Sequence, residues 1–154
     1  MNVKIRPARP EDVAAIRACV EAAYTPYIAS IGVRPVPLDD DYAALVAAGD
    51  VYVVPARDGE GVRAILVIRP RGGDLLIENV AVHPEYQGQG LGTALLAFAE
   101  TVARERGLAG TTLYTNVLMT ANIALYKHLG YEEIGRPVEY GFRRVDLRKQ
   151  LPSA

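Results

Sequence analysis

Sulfur and one-sided charge are what this chain has least of. Its single cysteine, Cys19, cannot close an internal disulfide. It falls on the apolar side of a helical pattern and reads as a small buried residue. No Cys/His spacing suits zinc, and no metal is expected. The net charge is −1 over 154 residues, without a long run of either sign. That balance supports neither a nucleic-acid nor a membrane-surface role. No apolar stretch approaches the ~20 residues needed to span a bilayer. The first residues, Met1-Asn2-Val3-Lys4-Ile5, lack the apolar core of a signal peptide. A reducing, cytoplasmic setting is the default expectation. Repeats, low-complexity tracts and linkers are also missing, so residues 1–154 are expected to form one domain around one core.

What is present is an alternation of strand and helix patterns. Val3–Arg6 reads as a strand ended by Pro7. Pro10 opens a helix, with Glu11 and Asp12 at its positive end. Val13, Ile16, Val20 and Ala23 recur at helical spacing and face the core. After Tyr24 the pattern dissolves, and Thr25-Pro26-Tyr27 and Arg34-Pro35-Val36-Pro37 read as loop. Asp39 is the expected N-cap of a second helix, with Tyr42, Leu45 and Val46 as its stripe and Gly49 as its stop. Val51–Ala56, Val62–Arg69 and Asp74–Val82 read as an antiparallel meander, because only short glycine-rich turns separate them. A long helix follows, about Gly90 to Arg106, with Leu91, Ala94, Leu95, Phe98 and Val102 buried. Thr111–Thr115 is the next strand. The length of the crossover makes it parallel to Asp74–Val82 in a right-handed unit. Thr120–Leu129 is a short helix, and Tyr131–Ile134 and Val138–Leu147 are the last strands. The expected class is α/β (α+β mixed): a central mixed, mostly antiparallel sheet flanked by about four helices.

One segment carries chemistry. Gln87-Gly88-Gln89-Gly90-Leu91-Gly92 follows a strand and opens straight into the long helix. Glycines let a backbone turn tightly and approach a ligand. The unpaired N–H groups of the first helical turn then attract an anion such as a pyrophosphate. A P-loop needs Gly-Lys-Ser/Thr at its end, and here the loop runs Gly90-Leu91-Gly92-Thr93 without lysine. A dinucleotide fingerprint needs G-x-G-x-x-G and an acid on the next strand. The sixth position is Thr93 or Leu95, and Thr111–Asn116 holds no acid.

The remaining pattern, Gln-x-x-Gly-x-Gly after a strand ending Val80-Ala81-Val82, resembles the GNAT superfamily of acyl-CoA N-acyltransferases. Asn116, Ala121-Asn122-Ile123-Ala124-Leu125-Tyr126 and Leu129-Gly130-Tyr131 resemble the family's later motif. The resemblance implies a single GNAT-like domain in which two parallel strands splay apart around the donor, acetyl-CoA. It places the pyrophosphate of coenzyme A on Gln87, Gly88, Gln89, Gly90, Leu91 and Gly92, with Thr93 adding a hydroxyl. The pantetheine arm pairs with the backbone of Val80, Ala81 and Val82, and the Val82 N–H meets the oxyanion. Asn116 and Asn122 are further donor contacts, and Tyr126 is the acid that protonates the departing thiolate. Glu78 is the candidate base, since a carboxylate on an apolar strand is costly unless paired or functional. Tyr24, Tyr27, Tyr114 and Tyr140 are candidate contacts to a small-molecule amine acceptor. Arg143 and Arg144 read as a solvated strand face, and His83 and His128 as structural. The alternatives are a protein N-terminal or lysine acceptor, or a non-catalytic acyl-CoA sensor. A homodimer through the last strands is a candidate by analogy only.

Overall fold

The computed structural model describes residues 3–32, 34–139 and 142–152. In chain order the elements are β1 (Arg6–Pro7), α1 (Val13–Ile31), α2 (Tyr42–Ala47), β2 (Val51–Pro55), β3 (Val62–Arg71), β4 (Asp74–Val82), α3 (Leu91–Glu105), β5 (Gly110–Asn116), α4 (Thr120–His128), β6 (Glu132–Gly135), β7 (Val138–Glu139) and β8 (Phe142–Gln150). The sheet runs β1-β2-β3-β4-β5-β8-β6, with the short β7 paired to β8. β4 and β5 are parallel, and β1–β2, β2–β3, β5–β8 and β6–β8 are antiparallel. The expected mixed, mostly antiparallel sheet with four helices is therefore the fold. The chain divides into two compact units, residues 1–68 with 79–98, and residues 69–78 with 99–154.

In the first unit, Ile16 and Val20 of α1 and Tyr42 and Val46 of α2 pack on Val51, Val53, Ile65, Val67 and Ala81 of the strands. Cys19 lies in this core at 1% exposure, as its place on the helix implies. Burying each large aliphatic side chain contributes roughly 1.5–3 kcal/mol. Helix α1 corrects the sequence reading. It does not end near Tyr24 but runs through Pro26 to Ile31. Pro26 forfeits one intrahelical bond. The helix survives because the Tyr24 hydroxyl is tied to Asn79 of β4 and because Gly32, at φ 70°, returns its N–H to the Ile28 carbonyl. Thr25, Pro26 and Tyr27 are thus helical, not loop, residues.

Two further boundaries move. The N-cap of α2 is Asp41, whose Oδ1 accepts the Ala44 N–H at 3.1 Å, while Asp39 pairs with Arg34 at 3.0 Å. The first strand is Arg6–Pro7 rather than Val3–Arg6, paired to Val53 and Tyr52. Proline is tolerated there because β1 ends the sheet. Arg6 grips Asp12 with two bonds, 2.8 and 3.1 Å, and the Arg9 N–H adds a third at 2.7 Å.

In the second unit, β5 pairs with β8 from Gly110↔Gln150 to Asn116↔Arg144. Thr111, Leu113 and Thr115 alternate as its buried face, and Thr111 Oγ1 meets the Tyr131 hydroxyl at 2.8 Å. The ladder to β4 is short: Leu75, Leu76 and Ile77 pair with Thr111, Thr112 and Leu113. The last expected strand, Val138–Leu147, is in fact two. β7 and β8 pair back at Val138↔Arg143 and Glu139↔Phe142.

Candidate active site

The glycine loop is built as its composition implies. After β4 a 3₁₀ turn covers Pro84–Tyr86, and Gln87 is extended at φ −68°, ψ 153°. Gly88 and Gly90 sit at φ 80° and 82°, which side-chain-bearing residues rarely adopt. Helix α3 starts at Leu91, and the Ala94 N–H returns to the Gly90 carbonyl at 3.0 Å. The N–H groups of Leu91, Gly92 and Thr93 belong to the first turn, where a helix offers no carbonyl four residues back. Gln87, Gly88, Gln89, Gly90 and Thr93 are all exposed. The loop ahead of the helix is open to solvent at the positive end of the helix dipole.

The end of β4 is shaped to match. The His83 N–H donates to the Arg63 carbonyl of β3 at 2.9 Å. Successive residues of a strand direct their polar groups to opposite sides, so those of Val82 point away from β3. The Val82 carbonyl takes the Gln87 side-chain amide at 3.1 Å. The Val80 carbonyl lies 3.3 Å from the Tyr24 hydroxyl. Gln87 therefore braces the loop against its own strand. Val80 and Val82 are half-buried and Ala81 is buried. A Cβ on Gly92 would come within 3.9 Å of Val82 Cγ2, which packs α3 on β4.

In the second unit, Tyr126 is half-buried on α4, edge-on to Tyr131 with ring centroids 6.0 Å apart. Its carbonyl accepts the N–H groups of Leu129 and Tyr131 at 3.1 and 3.0 Å, which locks the helix end. Burial pushes the Tyr131 phenol up to about 12, and its hydrogen bond to Thr111 opposes that shift. Glu78 meets Arg69 of β3 at 2.9 Å, a partner that sequence alone did not supply. Asn116 Oδ1 accepts the Leu118 N–H at 2.9 Å and so shapes the turn before α4. Asn122 is half-buried, and its amide lies 3.9 Å from the Met119 sulfur. Tyr114 lies under the Arg144 guanidinium, 5.0 Å from its centroid. Arg144 also pairs with Asp146 at 2.9 Å with 16% of its side chain exposed, so it is not the solvated residue expected.

In the first unit, Tyr24 and Tyr27 stack obliquely, 6.2 Å and 52° apart. Tyr140 lies outside the described residues. The residue that sequence reasoning ranks too low is Asn79, which the strand pattern puts on the other face from Glu78 and so makes the weaker candidate. It is 4% exposed and bonded to both Tyr24 and Tyr42. An amide in an apolar strand was its only signal. Among the described residues no cluster of His, Cys, Asp or Glu could hold a metal. Nor is any helix among them long and apolar enough to cross a membrane.

A glycine-rich turn leading from the end of β4 into a long helix is the frame of the site, and comparison with known proteins gives the class. The chain belongs to the acetyltransferase (GNAT) family, whose profile matches residues 14–131. It is 46% identical over 55 residues to the ribosomal protein bS18-alanine N-acetyltransferase of Escherichia coli K12, a stretch covering 36% of this chain and 37% of that one. It is 39% identical over 62 residues to the mycothiol acetyltransferase of an Arthrobacter strain, 40% of this chain and 19% of that one. The chain thus spans well under two thirds of either relative's length. Its fold is similar to the crystal structure of the PaiA N-acetyltransferase of Thermoplasma acidophilum in complex with coenzyme A. The TM-score is 0.80 at 14% identity, covering 98% of this chain and 100% of that one.

Proposed function

We propose that this chain moves the acetyl group of acetyl-CoA to a primary amine, by direct attack in a ternary complex. Its two compact units act as one acetyltransferase domain. The observation that carries the reading is the loop from Gln87 to Gly92, whose left-handed glycines lead into the first turn of α3. A pyrophosphate suits the N–H groups of that turn without lysine or metal. The pantetheine amides pair with the Val80 and Val82 backbone, and the Val82 N–H faces the thioester oxygen.

The amine nitrogen forms a bond to the thioester carbonyl carbon. Its surplus proton passes to Glu78, directly or through water. As the C–S bond breaks, Tyr126 gives its phenolic proton to the thiolate. The products are the acetamide and free CoA, and solvent returns both side chains to their starting forms. Asn122 steadies the donor, whereas the side chain of Asn116 is already engaged in its turn. Tyr24, Tyr27 and Tyr114 offer rings to the apolar body of a small amine. Tyr140 is kept as a fourth contact on the strength of the sequence. A protein N-terminal amine is the second acceptor class, favoured by the likeness to the ribosomal-protein enzyme.

Free-thiol release from acetyl-CoA, measured over a panel of spermidine, tyramine, L-lysine and an alanine-initiated peptide, tests the reading. Turnover with a small amine supports it, and turnover with the peptide alone moves the acceptor to the second class. CoA binding without any thiol release points to a sensor and overturns the proposal.

A further inference from the structure

A buried amide is costly unless both of its ends are bonded. Both ends of Asn79 are. Its Nδ2 donates to the Tyr42 hydroxyl at 3.0 Å, and its Oδ1 accepts from the Tyr24 hydroxyl at 2.6 Å. The Tyr42 hydroxyl donates to the Pro37 carbonyl at 2.6 Å. The directions of these bonds are forced. A carbonyl only accepts, so the single Tyr42 proton goes to Pro37 and the Tyr42 oxygen accepts. The end of Asn79 turned to Tyr42 is therefore the NH₂, and its oxygen faces Tyr24. Tyr24 must then donate inward, to Asn79 at 2.6 Å with the Val80 carbonyl at 3.3 Å as the longer alternative. Its one proton is committed in either case. Any further partner of the Tyr24 oxygen has to be a donor.

We propose that Tyr24 is an acceptor-binding residue whose oxygen takes a hydrogen bond from the N–H of the incoming amine, and that Asn79 and Tyr42 are positioning residues that set this polarity. The inference rests on the acetyl-transfer reading and narrows its substrate class. A group bringing N–H donors is matched, while one bringing only a carboxylate or ether oxygen meets lone pairs and is rejected. Tyr24 is half-buried and lies beside the Tyr27 ring, which suits an amine with an apolar body.

The experiment compares Tyr24→Phe, Tyr42→Phe and the double variant, with the panel amine that turns over fastest as acceptor. Tyr24→Phe is expected to raise the KM for the amine about tenfold or more, the cost of one hydrogen bond to a charged group. The KM for acetyl-CoA stays unchanged. Tyr42→Phe never meets the substrate, yet it raises the same KM. Without Tyr42 the Asn79 amide can rotate and donate to Tyr24, whose proton then points outward. The double variant is expected to be no worse than the poorer single one, because both act on one bond. A Tyr24→Phe enzyme that keeps the amine KM overturns the inference, as do equal losses toward amine and acetyl-CoA. Additive losses in the double variant overturn the positioning role. Tyr24→Phe settles the main point even if Tyr42→Phe does not fold. A wild-type protein that acetylates no panel amine overturns the acetyl-transfer reading and this inference with it. Turnover indifferent to Tyr24 overturns this inference alone.

Discussion

Replacing Gly90 by valine separates the cost of a strained backbone from the loss of a binding site. Gly90 stands at φ 82°, and a Cβ there would meet nothing within 4 Å. The substitution therefore brings strain without a clash. Holding a side-chain-bearing residue in the left-handed region costs roughly 1–2 kcal/mol. In a chain of this size that lowers the melting temperature by about 2–8 °C. The loop can relieve the strain by turning Gly90 to negative φ, and this redirects the N–H groups that precede α3. Losing two charge-assisted hydrogen bonds at about 1.5 kcal/mol each weakens CoA binding about 100-fold. Gly107→Val is the control. It lies just past the other end of α3 at φ 72°, again with nothing within 4 Å. Calorimetric titration with CoA and thermal melting on the three proteins decide the matter. The expected result is similar melting losses in the two variants and a large rise in CoA Kd for Gly90→Val alone. A Gly90→Val protein that binds CoA within threefold of wild type would refute the assignment of the loop.

Tyr126→Phe is expected to lower kcat about 100-fold or more while leaving CoA affinity intact; equal turnover by the two proteins removes Tyr126 from the proton path. Cys19 is 1% exposed and burial pushes its thiol up to about 12, so a disulfide-exchange reagent at pH 8 should label it only after unfolding. Rapid labelling of the native protein contradicts that burial. The Arg6 hydrogen bond holds the Asp12 carboxyl below its ordinary value. A depressed carboxylate contributes stability that is complete above about pH 4 and is lost as pH falls through its folded pKa. Denaturant titrations at several pH values should show wild type more stable than Arg6→Gln at pH 7, with the gap closing in acid; a gap that persists at pH 2 counts against the pair.

The strands and the long helix were legible because their signals are local. Val51–Pro55, Asp74–Val82 and Leu91–Glu105 lie within one or two residues of the expected bounds, each framed by turn glycines or by strict periodicity. The errors share one cause. Pro26 is a local stop signal, but a tertiary contact overrules it: the Tyr24 hydroxyl is anchored 55 residues away in sequence. Asp39 is a sound N-cap locally, but it pairs with Arg34, and Asp41 caps the helix instead.

The site divides along the same line. The proposed phosphate loop is one continuous stretch whose shape is set by its own glycines, so composition and spacing are enough to propose it. Acceptor recognition depends on side chains brought together from distant parts of the chain. Asn79 read as a weak candidate because a strand pattern shows which face a residue takes, not what lies across from it. Once α1 and α2 cover that face, the Pro37 carbonyl, Tyr42, Asn79 and Tyr24 form a chain in which each bond dictates the direction of the next. The backbone carbonyl at its far end can only accept, and that one constraint decides which way the hydroxyl of Tyr24 points. Polarity of this kind follows from connectivity between elements, and no single element of the sequence carries it.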